Sequence, residues 1–389
     1  MAHPPSQENS MLRRVLIGLF QITIVVCLID GFLDISYSVV QHAKFHLREK
    51  ITDLSAAGGS DRESRAALRI PMDGLPVKNL PGIRNILKEY KSPALNVDAN
   101  GRRENGRPYT SQPGHIGFLL GSSTAFGYKV SDNQTISAQL ESAMPDTHVY
   151  NYAGLGQPTS DNLMRWQDLQ NKHSNPDFVI LAGLTYQLYI DCTPSPPIKQ
   201  GRSNIFFHLA KITTSTTPEP ACQSSDNIEL AISNSIMSIQ NAVAFGRNTG
   251  VPFYLVYLPT PFDENSNINH LIENANEDAK KRVLNLQKVY SRYHQELTKL
   301  NIPEFVDLSR ALPADKTYFL DFGGHLTKDG NAIVAQALAQ YIQPAISSRP
   351  PQRLQDPSSS DHRAPVSYIS SLRAGSVECV QPPHDCLHH

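Results

Sequence analysis

Residues 115–127 read HIGFLLGSSTAFG. An apolar run of strand length ends in a glycine, two serines and a threonine follow, and a second glycine closes a tight turn. The run lacks polar alternation, so it suits a strand buried on both faces. Such a turn exposes a hydroxyl and leaves backbone N–H groups free to bind an anion. It is not the dinucleotide fingerprint, which needs GxGxxG opening a helix. Taken alone, it also reads as an ordinary helix-capping loop.

Outward from this stretch the chain alternates. TISAQLESAM (135–144) predicts a helix, THVYNYAG (147–154) a strand, DNLMRWQDLQNK (161–172) a helix and DFVILAGL (177–184) a strand. IELAISNSIMSIQNAVAFGRNTG (228–250) predicts a helix stopped by Gly250, and VPFYLVYLP (251–259) a fourth strand. A long helix follows, in which Val283, Leu286, Tyr290, Tyr293, Leu297 and Leu300 recur at steps of three and four. PEFVDLSRAL (303–312) holds a short fifth strand, and DGNAIVAQALAQYI (329–342) is the last helix. Near-continuous apolar strands separated by helices predict an α/β three-layer sandwich around a mainly parallel sheet of about five strands. Function in such sheets gathers in the loops beyond the carboxyl ends of the strands.

The flanks read differently. After Arg13 and Arg14, the segment from Val15 to Leu33 is apolar but for a few polar residues and Asp30. This is marginal but adequate for a membrane span of about 20 residues. A signal anchor with the domain outside the membrane is the expectation; a cleaved signal peptide and a buried core helix are the alternatives. Residues 41–113 show no sustained period and are broken repeatedly by Pro and Gly, which predicts an extended arm partly packed on the domain. From about residue 345 the chain is Pro/Ser-rich and is expected to be disordered. The organisation is therefore 1–40 head and anchor, 41–113 arm, 114–344 α/β domain with an insertion at 186–226, and 345–389 tail.

Composition narrows the function. The 389 residues carry 35 Lys plus Arg against 36 Asp plus Glu, a net charge of −1, which excludes a nucleic-acid backbone as the main partner. Charged residues are 18%, below the usual ~25%, and the 28 prolines exceed the usual ~5%. The five cysteines are too few for a disulfide scaffold. With Cys27 in the apolar run, Cys192 with Cys222 and Cys379 with Cys386 form two local disulfides outside the membrane or remain thiols. No metal or cofactor is expected. The tail residues Cys379, His384, Cys386, His388 and His389 lack familiar ligand spacing.

Four segments follow the strands in order: GSSTAFG (121–127), NYAGLG (151–156), AGLTY (182–186) and DFGGHLTKDG (321–330). Together they resemble the blocks of the SGNH (GDSL-type) hydrolase family, over roughly residues 114–344. The resemblance puts Ser123 in the nucleophile position, with Ser122 replacing the family Asp. Asn151 and Gly156 match block II, where Gly156 contributes a backbone N–H to the oxyanion hole. His325, Leu326, Thr327 and Gly330 match block V, and Thr327 caps the helix. Two further departures from the pattern matter. Block III has Thr185 where the family has an oxyanion-donating Asn, and loss of such a donor costs about 10²–10³ in rate. Asp321 lies four residues before His325 rather than three. Either an extra glycine loops out and keeps the carboxylate on the imidazole, or the site works as a Ser–His pair. The arm segment NVDANGRRENGRP is similar to the Asn…Gly-x-Arg stretch preceding block I in membrane-anchored bacterial members.

The resemblance implies Ser123, His325 and Asp321 as a catalytic triad, with an oxyanion hole of the Ser123 and Gly156 N–H groups and the Thr185 hydroxyl. The expected activity is a serine esterase or O-acyltransferase acting on acyl esters of a small molecule or an envelope or exported polysaccharide. The alternative is a catalytically silent relative that binds glycan or scaffolds an assembly. The insertion after strand three reads either as a lid over the site or as a surface loop tied by a disulfide.

Overall fold

The computed structural model describes residues 75–106, 114–172, 176–192, 222 and 224–348, together with positions 17–21, 23–25, 28 and 32. The latter are helical. The remainder of the expected anchor lies outside the described residues, as do most of the insertion and the tail beyond 348. Among the described residues no helix is long and apolar enough to cross a membrane.

The arm was expected without strands, yet its described part, from residue 75, holds two antiparallel hairpins. These are β1 (Val77–Leu80) with β2 (Ile83–Leu87), and β3 (Tyr90–Lys91) with β4 (Asn96–Val97). The strands are too short for periodicity to reveal them. What holds them is burial: Leu87, Leu95 and Val97 join the main core.

The sheet itself consists of β5 (His115–Gly121), β6 (Thr147–Asn151), β7 (Phe178–Ala182), β8 (Phe253–Tyr257) and β9 (Phe305–Asp307). All four pairings are parallel, in the order β6-β5-β7-β8-β9. Every residue of β7 is buried, as its unbroken apolar run requires.

The helices are α1 (Ser123–Phe126), α2 (Ile136–Ala143), α3 (Thr159–Lys172), α4 (Leu184–Cys192), α5 (Ser225–Thr249), α6 (Asn269–Glu273), α7 (Glu277–Lys299) and α8 (Lys328–Ser347). The strand order steps outward from β5 in both directions. Right-handed crossovers therefore put α2 on one face and α3, α5 and α7 on the other. Packing agrees: α2 lies against α8, and α5 contacts α3, α4 and α7. The reversal opens a crevice between the ends of β5 and β7, where a ligand site is expected.

Local signals explain the helix ends. Thr135, Ser224, Asn276 and Thr327 each accept a first-turn N–H with the side chain. Gly250, at φ 68°, stops α5 as expected. The last helix runs past Ile342 and through Pro344 to Ser347 instead of ending before the tail at 345. Proline removes one backbone donor, but Ile346 is buried on the core, and that contact carries the helix onward. The helix α4 starts inside the stretch assigned to strand three and the insertion. Cys192 at its end is disulfide-bonded to Cys222, just before α5.

Candidate active site

Ser123 opens the four-residue helix α1 directly after β5. Gly127, in left-handed conformation, ends it and donates to the Ser123 and Thr124 carbonyls. The hydroxyl is thus presented at the carboxyl edge of the sheet. Asn151 secures this turn, its side-chain amide donating to the Ala125 carbonyl at 3.1 Å and the Ser137 hydroxyl at 3.0 Å.

His325 arrives from the loop before α8. Its Nε2 lies 2.8 Å from Ser123 Oγ, and its Nδ1 lies 2.7 and 2.8 Å from the two Asp321 oxygens. The extra residue between Asp321 and His325 is accommodated by Gly323 and Gly324, the latter at φ 80°. The Gly323 N–H donates to Asp321 Oδ1, and the Leu320 N–H donates to the His325 carbonyl at 2.7 Å. The carboxylate therefore stays on the imidazole despite the longer spacing. Thr124 Oγ1 donates to the Gly324 carbonyl, tying the serine turn to the histidine loop.

Burial disfavours the Asp321 charge, but the adjacent His325, its hydrogen bond, Lys129 and the Gly323 N–H outweigh it and hold the carboxyl below its ordinary range. The Tyr128 ring stacks on the imidazole, centroids 4.1 Å apart at 26°. Arg103, fully buried in the arm, braces that segment from behind. Its guanidinium pairs with Asp132 at 2.9 Å and donates to the carbonyls of Phe126, Gly127 and Val130.

Ser123 and His325 face a cavity of about 450 Å³. Gly156, Thr185 and Tyr186 line it, together with Asn85 from β2 and Phe262 from the loop after β8. Except for His325, no lining side chain is ionisable near neutral pH. Gly156 sits at φ 69° in the loop after β6. Thr185 lies in the first turn of α4, where its carbonyl accepts from the Tyr290 hydroxyl at 2.9 Å.

The structure thus brings Ser123, His325, Gly156 and Thr185 to one cavity, with Asp321 behind the imidazole and outside the lining. Sequence reasoning missed Asn85, Tyr128, Arg103 and Tyr186. No periodicity or motif marked Asn85 and Tyr128, whereas Arg103 stood in the Gly-x-Arg stretch without an assigned role.

No protein-family model matches the chain, and no curated protein matches it. Solved structures do. A member of the lipolytic protein G-D-S-L family from Veillonella parvula aligns at 11% identity and TM-score 0.37, covering 59% of this chain and 98% of that one. A carbohydrate acetylesterase family member from Sinorhizobium meliloti aligns at 14% and 0.34, covering 60% and 99%. The aryl esterase of M. smegmatis aligns at 15% and 0.36, covering 60% of this chain and all of the other.

Proposed function

We propose that this domain is a serine hydrolase of neutral carboxylic esters, using Ser123 as nucleophile, His325 as base and Asp321 as the orienting carboxylate. The carrying observation is the unbroken relay from Ser123 Oγ through both imidazole nitrogens to Asp321. Nδ1–H donation to Asp321 leaves Nε2 as the proton acceptor. Ser123 Oγ bonds to the ester carbonyl carbon as its proton moves to Nε2. The N–H groups of Ser123 and Gly156 receive the oxyanion. Collapse breaks the C–O bond, and the leaving alkoxide takes the proton from Nε2. Water then repeats the sequence on the acyl-enzyme, or a sugar hydroxyl does so and the outcome is acyl transfer.

A cavity without formal charge apart from His325 supports a neutral ester, and its volume accommodates a sugar ring or aryl group beside an acetyl. The Cys192–Cys222 bond supports a working place in an oxidising compartment. Membrane anchoring through Val15–Leu33 is proposed from the sequence alone.

The test is labelling with a fluorophosphonate probe from pH 6 to 9, read by intact mass, together with p-nitrophenyl acetate hydrolysis. Wild type gains one adduct and Ser123→Ala gains none. Absence of any Ser123-dependent adduct would overturn the enzyme reading. It would leave the silent glycan-binding module, which the Thr185 departure favours.

A further inference from the structure

We propose that Asn85, delivered by the arm, supplies the side-chain oxyanion donor that block III lacks. The inference rests on the reading of Ser123 as nucleophile.

Asn85 lies on β2, some forty residues before the serine turn, yet it lines the same cavity as Ser123 and Gly156. A Cβ placed on Gly156 would lie 3.4 Å from Asn85 Nδ2. The amide, with the Tyr186 hydroxyl 3.2 Å from the same point, therefore stands beside the glycine whose N–H is assigned to the oxyanion. Among the described residues the Asn85 side-chain amide has no hydrogen-bond partner, although the residue is half-buried. An amide donor left open inside a cavity is available to a ligand oxygen.

The backbone around it is braced on several sides. Asn85 adopts φ 55°, a left-handed conformation that asparagine tolerates better than most residues. Its N–H donates to Asn79 Oδ1 at 3.0 Å. The neighbouring Arg84 is gripped through both backbone and side chain. Its N–H and guanidinium donate to Asp161 in the first turn of α3, and its carbonyl accepts from Gln157 Nε2 at 2.7 Å. Gln157 directly follows Gly156. One hydrogen bond therefore fixes the spacing between the arm and the loop that carries the backbone donor. Preorganised donors of this kind stabilise developing charge without reorganising at the moment of reaction.

Thr185 provides less. Its carbonyl is held by Tyr290 in the first turn of α4, and its hydroxyl sits on a shorter side chain than an asparagine amide. The amide missing from α4 is thereby replaced from the arm, beside the Tyr186 end of that helix.

The test compares wild type, Ser123→Ala, Asn85→Gly, Asn85→Asp and Thr185→Val. Glycine keeps the positive φ and removes only the amide; aspartate keeps the shape and replaces the donor with an acceptor. The readouts are the second-order rate of fluorophosphonate labelling, kcat and KM for p-nitrophenyl acetate, and the thermal midpoint as a folding control. Expected for Asn85→Gly is a loss of about 10²–10³ in labelling rate and kcat, with KM within about threefold and the midpoint preserved. Asn85→Asp loses at least as much, and Thr185→Val loses less than about tenfold. Asn85→Gly labelling within about threefold of wild type, while Ser123→Ala stays unlabelled, would overturn the Asn85 role and leave the hydrolase reading intact. No Ser123-dependent labelling in wild type would remove both.

Discussion

Ser123 at the start of α1 and Asp321 and His325 from the loop before α8 are joined by three hydrogen bonds among themselves. Across the cavity, Gly156 comes from the loop after β6, Thr185 and Tyr186 from α4, and Asn85 from the arm. The first group is held by direct contact between its members. The second is held by bonds around its members, such as Gln157 to the Arg84 carbonyl and Tyr290 to the Thr185 carbonyl. The difference follows from the chemistry. A proton relay works through bonds that exist before substrate arrives, whereas an oxyanion hole works only if its donors have no other acceptor.

Substitutions can break this contrast, beginning with the largest effect. Asp321→Asn puts an amide N–H beside Nδ1, favours the imidazole tautomer protonated at Nε2 and should lower kcat by about 10⁴; steady-state hydrolysis reads it. Arg103→Ala strips the buried partner of Asp132 and should destabilise the fold by about 3–5 kcal/mol, measured by urea unfolding. Labelling at Ser123 should weaken as the Phe126–Val130 segment and Tyr128 loosen. Replacing both Cys192 and Cys222 by serine opens a loop closed over a separation of 30 residues. The chain-entropy expectation is a loss of about 3–4 kcal/mol, and it should disturb the α4 side of the cavity more than the relay.

A pH experiment sharpens the comparison between two acids near the cavity. Asp321 is held below its ordinary range, whereas Asp263, beside Thr260 in the loop after β8, is pushed up to about 6 by burial despite hydrogen bonds from Thr260 and Tyr257. The folded state thus holds the Asp263 proton where the unfolded chain, with a carboxyl near 3.9, has released it. Stability from this group is present at pH 4 and is lost as pH rises through 6. About two units correspond to about 2–3 kcal/mol. Asp263→Asn should flatten that part of the stability profile. Equal slopes for the two proteins between pH 4 and 7 would show that burial does not control this carboxyl.

The sheet was legible because its strands are apolar without alternation, and all five expected strands occur with ends shifted by a few residues. Ser123 and His325, which lie 2.8 Å apart, were singled out because the serine follows strand one directly and HLTKDG leads into the last helix. The hairpins were not, since strands of two to five residues carry no period and are held by long-range burial. Helix α4 was hidden because LTYQLYIDC continues the apolar run of β7. Asn85 was invisible for a different reason: its position depends on Asp161 and Gln157, more than seventy residues away in sequence.

Arg103 sets an order of assembly. Its acceptors, Asp132 and the carbonyls of Phe126, Gly127 and Val130, are made after it, and its own N–H waits for the carbonyl of Asn151. During N-to-C synthesis the guanidinium must remain hydrated until residue 132 has emerged and the backbone N–H until β6 has, so the arm docks late although it is made early. A fragment beginning at residue 114 would leave that polar nest empty beneath the serine turn, each orphaned acceptor costing about 1–3 kcal/mol. The stretch before the sheet is therefore an internal splint that the domain closes around, and not a removable leash.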